Sequence, residues 1–446
     1  MSLPLTLGKE PVAKLLKQYA IPAIIAMTAS SLYNMVDSIF IGHGVGALAI
    51  SGLAVTFPFM NLAAAFGAMV GVGASTLLSV KLGAKDYDEA KKIVGNVIAL
   101  NVIIGTVFML VSLTFLDPIL YFFGASEHTI DYARSYMQII LVGNIITHLY
   151  LGLNSVIRSS GHPHQAMIAT IATVVLNSIL DPIFIFVFDW GIRGAAIATI
   201  LAQIFALVWV VSILTSKNEV IRLDKHFLRL DLHIVKDALS IGLSPFLMNV
   251  ASCFIVILIN NGLQRYSGDL AIGAFGIVNR VIFVIVMIVM GLNQGMQPIA
   301  GYNYGAKQMN RVMEVFWLTV KCATAITTIG FLLGEFFTKQ IVSIFTTDQG
   351  LVEHAVFGLR LAVAVFPFVG FQMVTSNFFL SIGKPHKAIF LSLTRQLIFL
   401  IPMLIVLPMF LGVTGVWLSM PLSDAASSIV SAIMIGLYIK KQQKKL

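Results

Sequence analysis

The chain has 446 residues, of which 58% are hydrophobic and only 11% are charged, and its formal net charge is +9. A soluble globular domain is about 25% charged, so this composition excludes one. Apolar stretches long enough to cross about 30 Å of hydrocarbon recur from end to end, which predicts a polytopic helical membrane protein. A basic chain could bind nucleic acid, but the positions of the charges along this one predict contact with anionic lipid headgroups instead.

Twelve transmembrane helices are predicted, one from each apolar run. Their centres lie near residues 28, 62, 103, 145, 173, 202, 250, 285, 325, 367, 398 and 427. Most Lys and Arg residues then fall on one side of the membrane, and those on the other side are Arg134, Arg193, Arg265, Lys339 and Arg360. The positive-inside rule therefore places both termini in the cytoplasm. The first residues lack a compact apolar stretch with a small-residue cleavage site, so no cleaved signal peptide is predicted.

The chain repeats itself at an offset of about 222 residues. The matching segments are "GHPHQA" (161–166) and "GKPHKA" (383–388), "LGAK" (82–85) and "YGAK" (304–307), "LAISGLAV" (48–55) and "LAIGAFGI" (270–277), and "FDWGIRG" (188–194) and "FLGVTG" (410–415). Six spans per unit give both units the same orientation, as in transporters with parallel repeats. We therefore predict an all-α fold of two parallel six-helix repeats: an N-lobe at 1–213, a cytoplasmic linker at 214–235 and a C-lobe at 236–446.

Two acids in the predicted N-lobe spans have polar neighbours. Tyr33 lies four residues before Asp37, and Asn177 lies four residues before Asp181, so each pair shares a helix face. An intramembrane acid costs a few kcal/mol to insert and should face protein or water. With Thr199 of the sixth span, these groups could surround a small cation, or the two carboxyl groups could share one proton. Structural polar contacts between helices are the alternative.

The predicted C-lobe has a different set of polar residues. Asp424 lies in the twelfth span, where a coupling role and a packing role are both open. The intramembrane cations are Arg280, as a helix-packing anchor or a substrate contact, and Arg395, as a partner for Asp424. Apart from a Na⁺ ion that Asp37, Asn177, Asp181 and Thr199 could hold, no metal ligand set and no cofactor motif is predicted. His162 and His164 flank a proline at a helix start, and His164 recurs as His386, so they favour a loop role.

Three motifs carry a family resemblance. "SLYNMVDSIFIG" (31–42), "LNSILDPIFIF" (176–186) and "GLNQGMQPIAGYNYGAK" (291–307) resemble the multidrug and toxic compound extrusion (MATE) family, and the likeness covers essentially the whole chain. The resemblance implies an antiporter in a bacterial cytoplasmic membrane, monomeric and without a cofactor. It would export small organic cations in exchange for H⁺ or Na⁺ through a V-shaped cavity that opens alternately to each side.

The resemblance also implies roles for individual residues. In the branch with N-lobe acids, the coupling site corresponds here to Asp37, Asp181, Asn177, Thr199 and Tyr33. Another branch has coupling acids in the seventh and tenth spans, where this sequence has none. The predicted substrate cavity combines polar positions with flexible Met and Phe walls that suit promiscuous binding. Its residues are Asn154, Met27, Met35, Met60, Phe283, Met287, Met290 and Arg280.

Two other functions compete with this interpretation. A flippase for lipid-linked oligosaccharides or precursors has a similar fold, but it should line its cavity with cations that hold pyrophosphate. An intramembrane prenyltransferase needs clustered Asp residues that hold Mg²⁺ and diphosphate. The acidic loop "KDYDEAKK" (85–92) has lysines between its acids, and its repeat partner "KQMNRVME" (307–314) lacks the acids. A solvated loop is therefore favoured there.

Overall fold

The computed structural model describes residues 6–45, 47–216, 221–222, 229–346 and 348–443. Within these ranges, the side chains of residues 32–36, 38–39, 42–43, 47–48, 50, 269 and 443 are not described. We label the long helices α1–α12 in chain order. They are α1 Val12–Gly44, α2 Ala47–Gly83, α3 Tyr87–Thr114, α4 Ile130–Val142 with Asn144–Ser159, α5 Pro163–Pro182, α6 Gly191–Leu214, α7 Leu232–Ser267, α8 Asp269–Gly305, α9 Met309–Phe336, α10 Gln349–Val363 with Phe366–Ser381, α11 Pro385–Leu393 with Ile401–Leu411, and α12 Val413–Gln443.

Shorter elements complete the fold. Helices Leu116–Phe122 and Thr338–Ser343 precede α4 and α10, and π-helical turns Ile183–Val187 and Thr394–Leu400 extend α5 and interrupt α11. No strand occurs in the described ranges. The segment between α6 and α7 is described only in part, so most of the predicted linker lies outside the described residues.

The predicted number of spans agrees with the structure. Nine of the described helices are long and apolar enough to cross a membrane, and the bent pairs α4 and α10 add two, each with a 54° bend. Helix α1 has 33 residues, about 50 Å of helix, which completes twelve. Eleven of these helices contain a predicted span centre, and the twelfth centre, residue 398, lies in the π-helical turn that interrupts α11. The all-α polytopic fold is therefore confirmed.

Buried apolar side chains form three separate clusters. The shared core joins both predicted lobes, from Leu7 and Val70 to Met296 and Tyr438. A second cluster contains only residues 41–200, and a third contains only residues 255–420. The shared core lies at the end of the bundle where α1 begins and α12 ends, which we call the basic end. The two halves therefore join at the basic end and have separate cores at the opposite end, which gives a V shape.

Glycines allow the halves to touch backbone to backbone at the basic end. A Cβ placed on Gly83 would lie 1.9 Å from the Tyr302 carbonyl oxygen, and one on Gly305 would lie 1.9 Å from the Val80 carbonyl oxygen. Gly83 and Gly305 are 222 positions apart, and so are Val80 and Tyr302. The contact between α2 and α8 is therefore reciprocal. This is the pattern that a two-fold axis between the predicted repeats requires, although the lobe boundaries themselves stay a prediction.

The segments that precede α1 and α7 each bind to the other half of the molecule. The Leu7 carbonyl accepts hydrogen bonds from Asn303 Nδ2 and Arg311 Nη2, both at 3.1 Å. In the other half, the Arg229 carbonyl accepts one from Asn96 Nδ2 at 3.3 Å. Leu7 and Arg229 are again 222 positions apart. We call residues 6–11 and 229–231 the two straps, and both lie across the closed basic end.

Candidate functional site

Two carboxyl groups meet inside the first half of the molecule. Asp37 of α1 is 6% exposed and Asp181 of α5 is fully buried, and their carboxyl groups are within hydrogen-bonding contact. Asp37 is seven residues from the end of α1, so the pair lies toward the opposite end of the V. Two ionised carboxylates in contact repel each other. The contact therefore requires a bound proton or a cation.

An amide and a hydroxyl group complete the cluster around Asp181. Asn177 Nδ2 donates to Asp181 Oδ1 and to Thr199 Oγ1, both at 3.2 Å. Thr199 Oγ1 in turn donates to the Ala195 carbonyl at 3.1 Å, which fixes its rotamer. The structure thus brings together four of the five predicted coupling residues on α1, α5 and α6. Tyr33, the fifth, has no described side chain.

Several oxygen atoms of this cluster have no hydrogen-bond partner among the described side chains. They are Asp37 Oδ1, Asp181 Oδ2 and Asn177 Oδ1, and all three are buried. A buried polar atom without a partner costs about 1–3 kcal/mol. Carboxylate and amide oxygens are also the ligands that hard cations prefer. The cluster therefore fits either an added proton or a small cation.

The local sequence explains why Asp181 can face this site. Pro182 lacks an N–H group and, directly after Asp181, is the last residue of the regular α-helix. The chain continues as the π-helical turn Ile183–Val187 before α6 begins at Gly191. Such turns are frequent at functional sites because they alter the direction of neighbouring side chains. The Asp–Pro pair thus places the carboxyl group at the break between α5 and α6.

One face of α8 lines the V above the contact between the halves. Gly291 and Gly295 of this face pack directly on the α1 backbone at Ile24 and Ala20. Phe283 and Met287 continue the same face at helical spacing, toward the opposite end. There Phe283 is 44% exposed and Met287 is partly exposed. This part of the predicted cavity wall therefore lies where α1 and α8 separate.

The other predicted cavity residues have varied surroundings. Arg280 lies one turn beyond Phe283 on the same face and is exposed, and Met290 is partly buried beside the contact with α1. Met60 packs against the cluster of residues 41–200 and accepts a hydrogen bond from Thr56 Oγ1 at 3.8 Å, so it lies inside that half. The side chain of Met35 is not described.

Asn154 and Met27 lie near the closed end of the V, on either side of Arg158, one of the basic residues on the cytoplasmic side of the predicted spans. Asn154 Nδ2 donates to Thr170 Oγ1 at 3.1 Å. Arg158, one turn further along α4, donates from Nη1 to Gln294 Oε1 of α8, and Gln294 Nε2 donates to Met27 Sδ at 3.2 Å. Arg158 is therefore half-buried between the halves rather than in a solvated loop. Its position four residues after Asn154, on the same helix face, was the available signal.

The predicted pair between Arg395 and Asp424 is present. Arg395 Nε donates to Asp424 Oδ1 at 2.5 Å, and the Asp424 side chain is 6% exposed while that of Arg395 is 33% exposed. The pair joins α11 to α12 within the C-terminal half. Asp424 thus has a charged partner of its own and lies in the half opposite to the Asp37–Asp181 pair.

Comparisons with known proteins agree on one family. The family model described as MatE matches residues 22–183 and 241–406. Multidrug export protein MepA of Staphylococcus aureus strain NCTC 8325 is 28% identical over 436 residues, covering 96% of this chain and 94% of the relative. The protein of the same name from Staphylococcus saprophyticus is 26% identical over 432 residues, with the same two coverages.

Solved structures share the fold over nearly the whole chain. The MATE multidrug transporter DinF-BH has a TM-score of 0.89 and 35% sequence identity, covering 96% of each chain. A MOP superfamily transporter from Pyrococcus furiosus has a TM-score of 0.92 at 23% identity, covering 98% of each chain, which shows the fold alone. A prenyltransferase is therefore excluded. The chain belongs to the MatE family and is a multi-pass membrane transporter, not an enzyme.

Proposed function

We propose that this transporter exports amphipathic organic cations from a bacterial cytoplasm through the inner membrane, as a monomer, in exchange for H⁺ or Na⁺. The basic end faces the cytoplasm, because the positive-inside rule assigns the Lys-rich loops and both termini to that side. The V then opens outward, and alternating access requires it to close there and open at the basic end. The names of the MepA relatives and of DinF-BH support drug-like substrates.

The observation that carries the proposal is the buried contact between Asp37 and Asp181. A proton entering from the outside neutralises one carboxyl group and makes the contact favourable. A Na⁺ ion would instead be held by both carboxylates, the Asn177 amide oxygen and the Thr199 hydroxyl group. Either ion removes negative charge from the half that attracts a cationic drug, so ion binding favours drug release to the outside.

Gradient-driven dye transport in proteoliposomes tests the proposal. Ethidium transport would be measured with an imposed pH gradient, with an imposed Na⁺ gradient and with neither, for wild type, Asp37→Asn and Asp181→Asn. We expect one gradient to drive transport by wild type and both variants to lose at least 90% of that rate. The matched control is Asp88→Asn, an exposed acid in the first turn of α3, which should transport like wild type.

Two outcomes would contradict the proposal in different ways. If wild type moves ethidium under neither gradient, the antiport function is wrong for this substrate class. If a gradient drives ethidium transport by wild type, and both Asn variants transport ethidium as fast as wild type, the coupling site lies elsewhere in the chain.

The alternative function is a flippase for a lipid-linked precursor. It is favoured by Arg280, an exposed cation on the α8 face that lines the V. A pyrophosphate-linked lipid requires such cations. Arg280→Gln separates the two functions, because it should abolish precursor flipping in vesicles but leave ethidium export within about twofold of wild type.

A further inference from the structure

The narrow end of the V contains a guanidinium group without an acidic partner. Arg158 lies one residue before the end of α4, where it reaches across to α8 of the other half and donates to Gln294. In the parts of the chain that the structure describes, no carboxylate forms an ion pair with Arg158. Tyr150 lies two turns back on the same face of α4, and its hydroxyl group donates to Thr170 Oγ1 at 3.1 Å. Among the described residues, no paired acid therefore neutralises the positive charge of Arg158.

Arg158 lies directly below predicted cavity residues. Asn154 is one turn away on the same face of α4, about 6 Å along the helix axis. Met27 of α1 contacts Gln294, the residue that Arg158 binds. Closer to the basic end, Gln297 of α8 donates to Thr76 Oγ1 of α2 at 2.7 Å, and the shared core follows. Arg158 is thus the charged residue at the floor of the V, at the level where the two halves begin to touch.

We propose that Arg158 is an electrostatic barrier that keeps cations at the outer side of the closed basic end. The inference rests on the proposed function, since a transporter driven by H⁺ or Na⁺ loses its driving force if those ions pass without a drug. In aquaporin-type pores, a fixed Arg charge in a narrow passage excludes cations and protons in this way. The same charge keeps a cationic drug above the floor, nearer to the two carboxyl groups.

A barrier made by size or by a hydrogen bond would respond to substitutions differently from a barrier made by charge. A barrier made by charge survives any substitution that keeps the cation, including one that breaks its hydrogen bond. A barrier made by the bond between the halves fails whenever Arg158 and Gln294 separate. Arg158→Lys and Gln294→Leu keep the charge and remove the bond geometry, whereas Arg158→Gln removes the charge.

The test measures ion leak without any drug. Purified wild type and the three variants would be reconstituted in vesicles containing a trapped pH dye or a trapped Na⁺ dye, and a pH or Na⁺ gradient would be imposed. We expect Arg158→Gln to raise the leak rate about tenfold, from the screened repulsion of one charge across about 10 Å. Arg158→Lys and Gln294→Leu should remain within twofold of wild type, even where their drug transport is slower.

The outcomes separate this inference from the proposed function. If Arg158→Gln is as tight as wild type, or if Gln294→Leu leaks as much as Arg158→Gln, the electrostatic barrier is wrong. A variant that does not elute as a single species is replaced by Arg158→Met, which also removes the charge. Drug transport driven by a gradient is measured on the same wild-type vesicles, so a failure of antiport is seen independently of the leak.

Discussion

The close approach of α2 and α8 at the basic end makes Gly305→Ala a severe change. The added Cβ would lie 1.9 Å from the Val80 carbonyl oxygen and 2.8 Å from its carbon, whereas ordinary Cβ contacts begin at 3.4 Å. The obstacle is backbone, so no side-chain rotamer relieves it, and the helices must separate by about 1.5 Å. Overpacking of this kind costs about 1–3 kcal/mol. This cost falls only on the state in which the basic end is closed. It therefore shifts the equilibrium between the closed and open states about 5- to 150-fold toward the open one.

The shift can be measured as a distance between spin labels. Asp88 and Asn310 are exposed, lie in the first turns of α3 and α9, and are 222 positions apart, so labelled cysteines there report the opening of the basic end. Cys253 and Cys322 would first be replaced by Ala. We expect Gly305→Ala to broaden the distribution toward longer distances and to slow drug transport at least fivefold.

The control for this experiment lies on the same helix. A Cβ added to Gly276 of α8 would meet nothing within 4 Å, so Gly276→Ala should leave both the distances and the transport rate unchanged. If Gly305→Ala and Gly276→Ala give the same distance distribution as wild type, the backbone contact between α2 and α8 does not control the closed state.

Three further predictions concern stability, measured by thermal unfolding in detergent. Arg395→Met leaves Asp424 buried without its partner and should cost about 3–5 kcal/mol, whereas the double variant with Asp424→Leu should recover most of that loss. Asp86 caps α3 by accepting from the Glu89 backbone N–H at 3.2 Å, so Asp86→Ala should cost about 1 kcal/mol. The hydrogen bond from Arg134 lowers the pKa of Asp117. The pair therefore contributes fully to the free energy of unfolding above the ordinary Asp pKa of about 4, and this contribution is lost as the pH falls through the lowered value. Arg134→Gln should remove this pH dependence.

The sequence was sufficient for the architecture because hydrophobic length and charge placement are local properties. The twelve span centres each fall in a separate helical span, and the match of "LGAK" with "YGAK" contains the glycines that touch reciprocally. Asp37 and Asp181 could be paired as a hypothesis because an acid in a membrane span is costly and so demands a partner. Their contact in the structure agrees with that hypothesis, and the role of the pair stays a prediction.

Other features depend on packing between distant segments and could not be predicted. Arg158 lies near a loop in the sequence, and only the approach of α8 brings Gln294 to it. The carbonyl of Leu7 is bound by residues almost 300 positions away, through contacts that any main-chain carbonyl can make. Which end of the V is closed is also absent from the sequence, because the same residues must form both states of a two-state transporter.

The strap before α1 has a consequence for the order in which the protein is made. Leu7 emerges from the ribosome before α1, but its partner Arg311 follows 304 positions later. At about 5–20 residues per second, that interval is roughly 15–60 s. During this time the first six helices can enter the membrane while the strap that precedes them has no binding site. The closed state therefore becomes available only after α9 has been synthesised, so a truncated chain that lacks the second half cannot be locked by its own N-terminal strap.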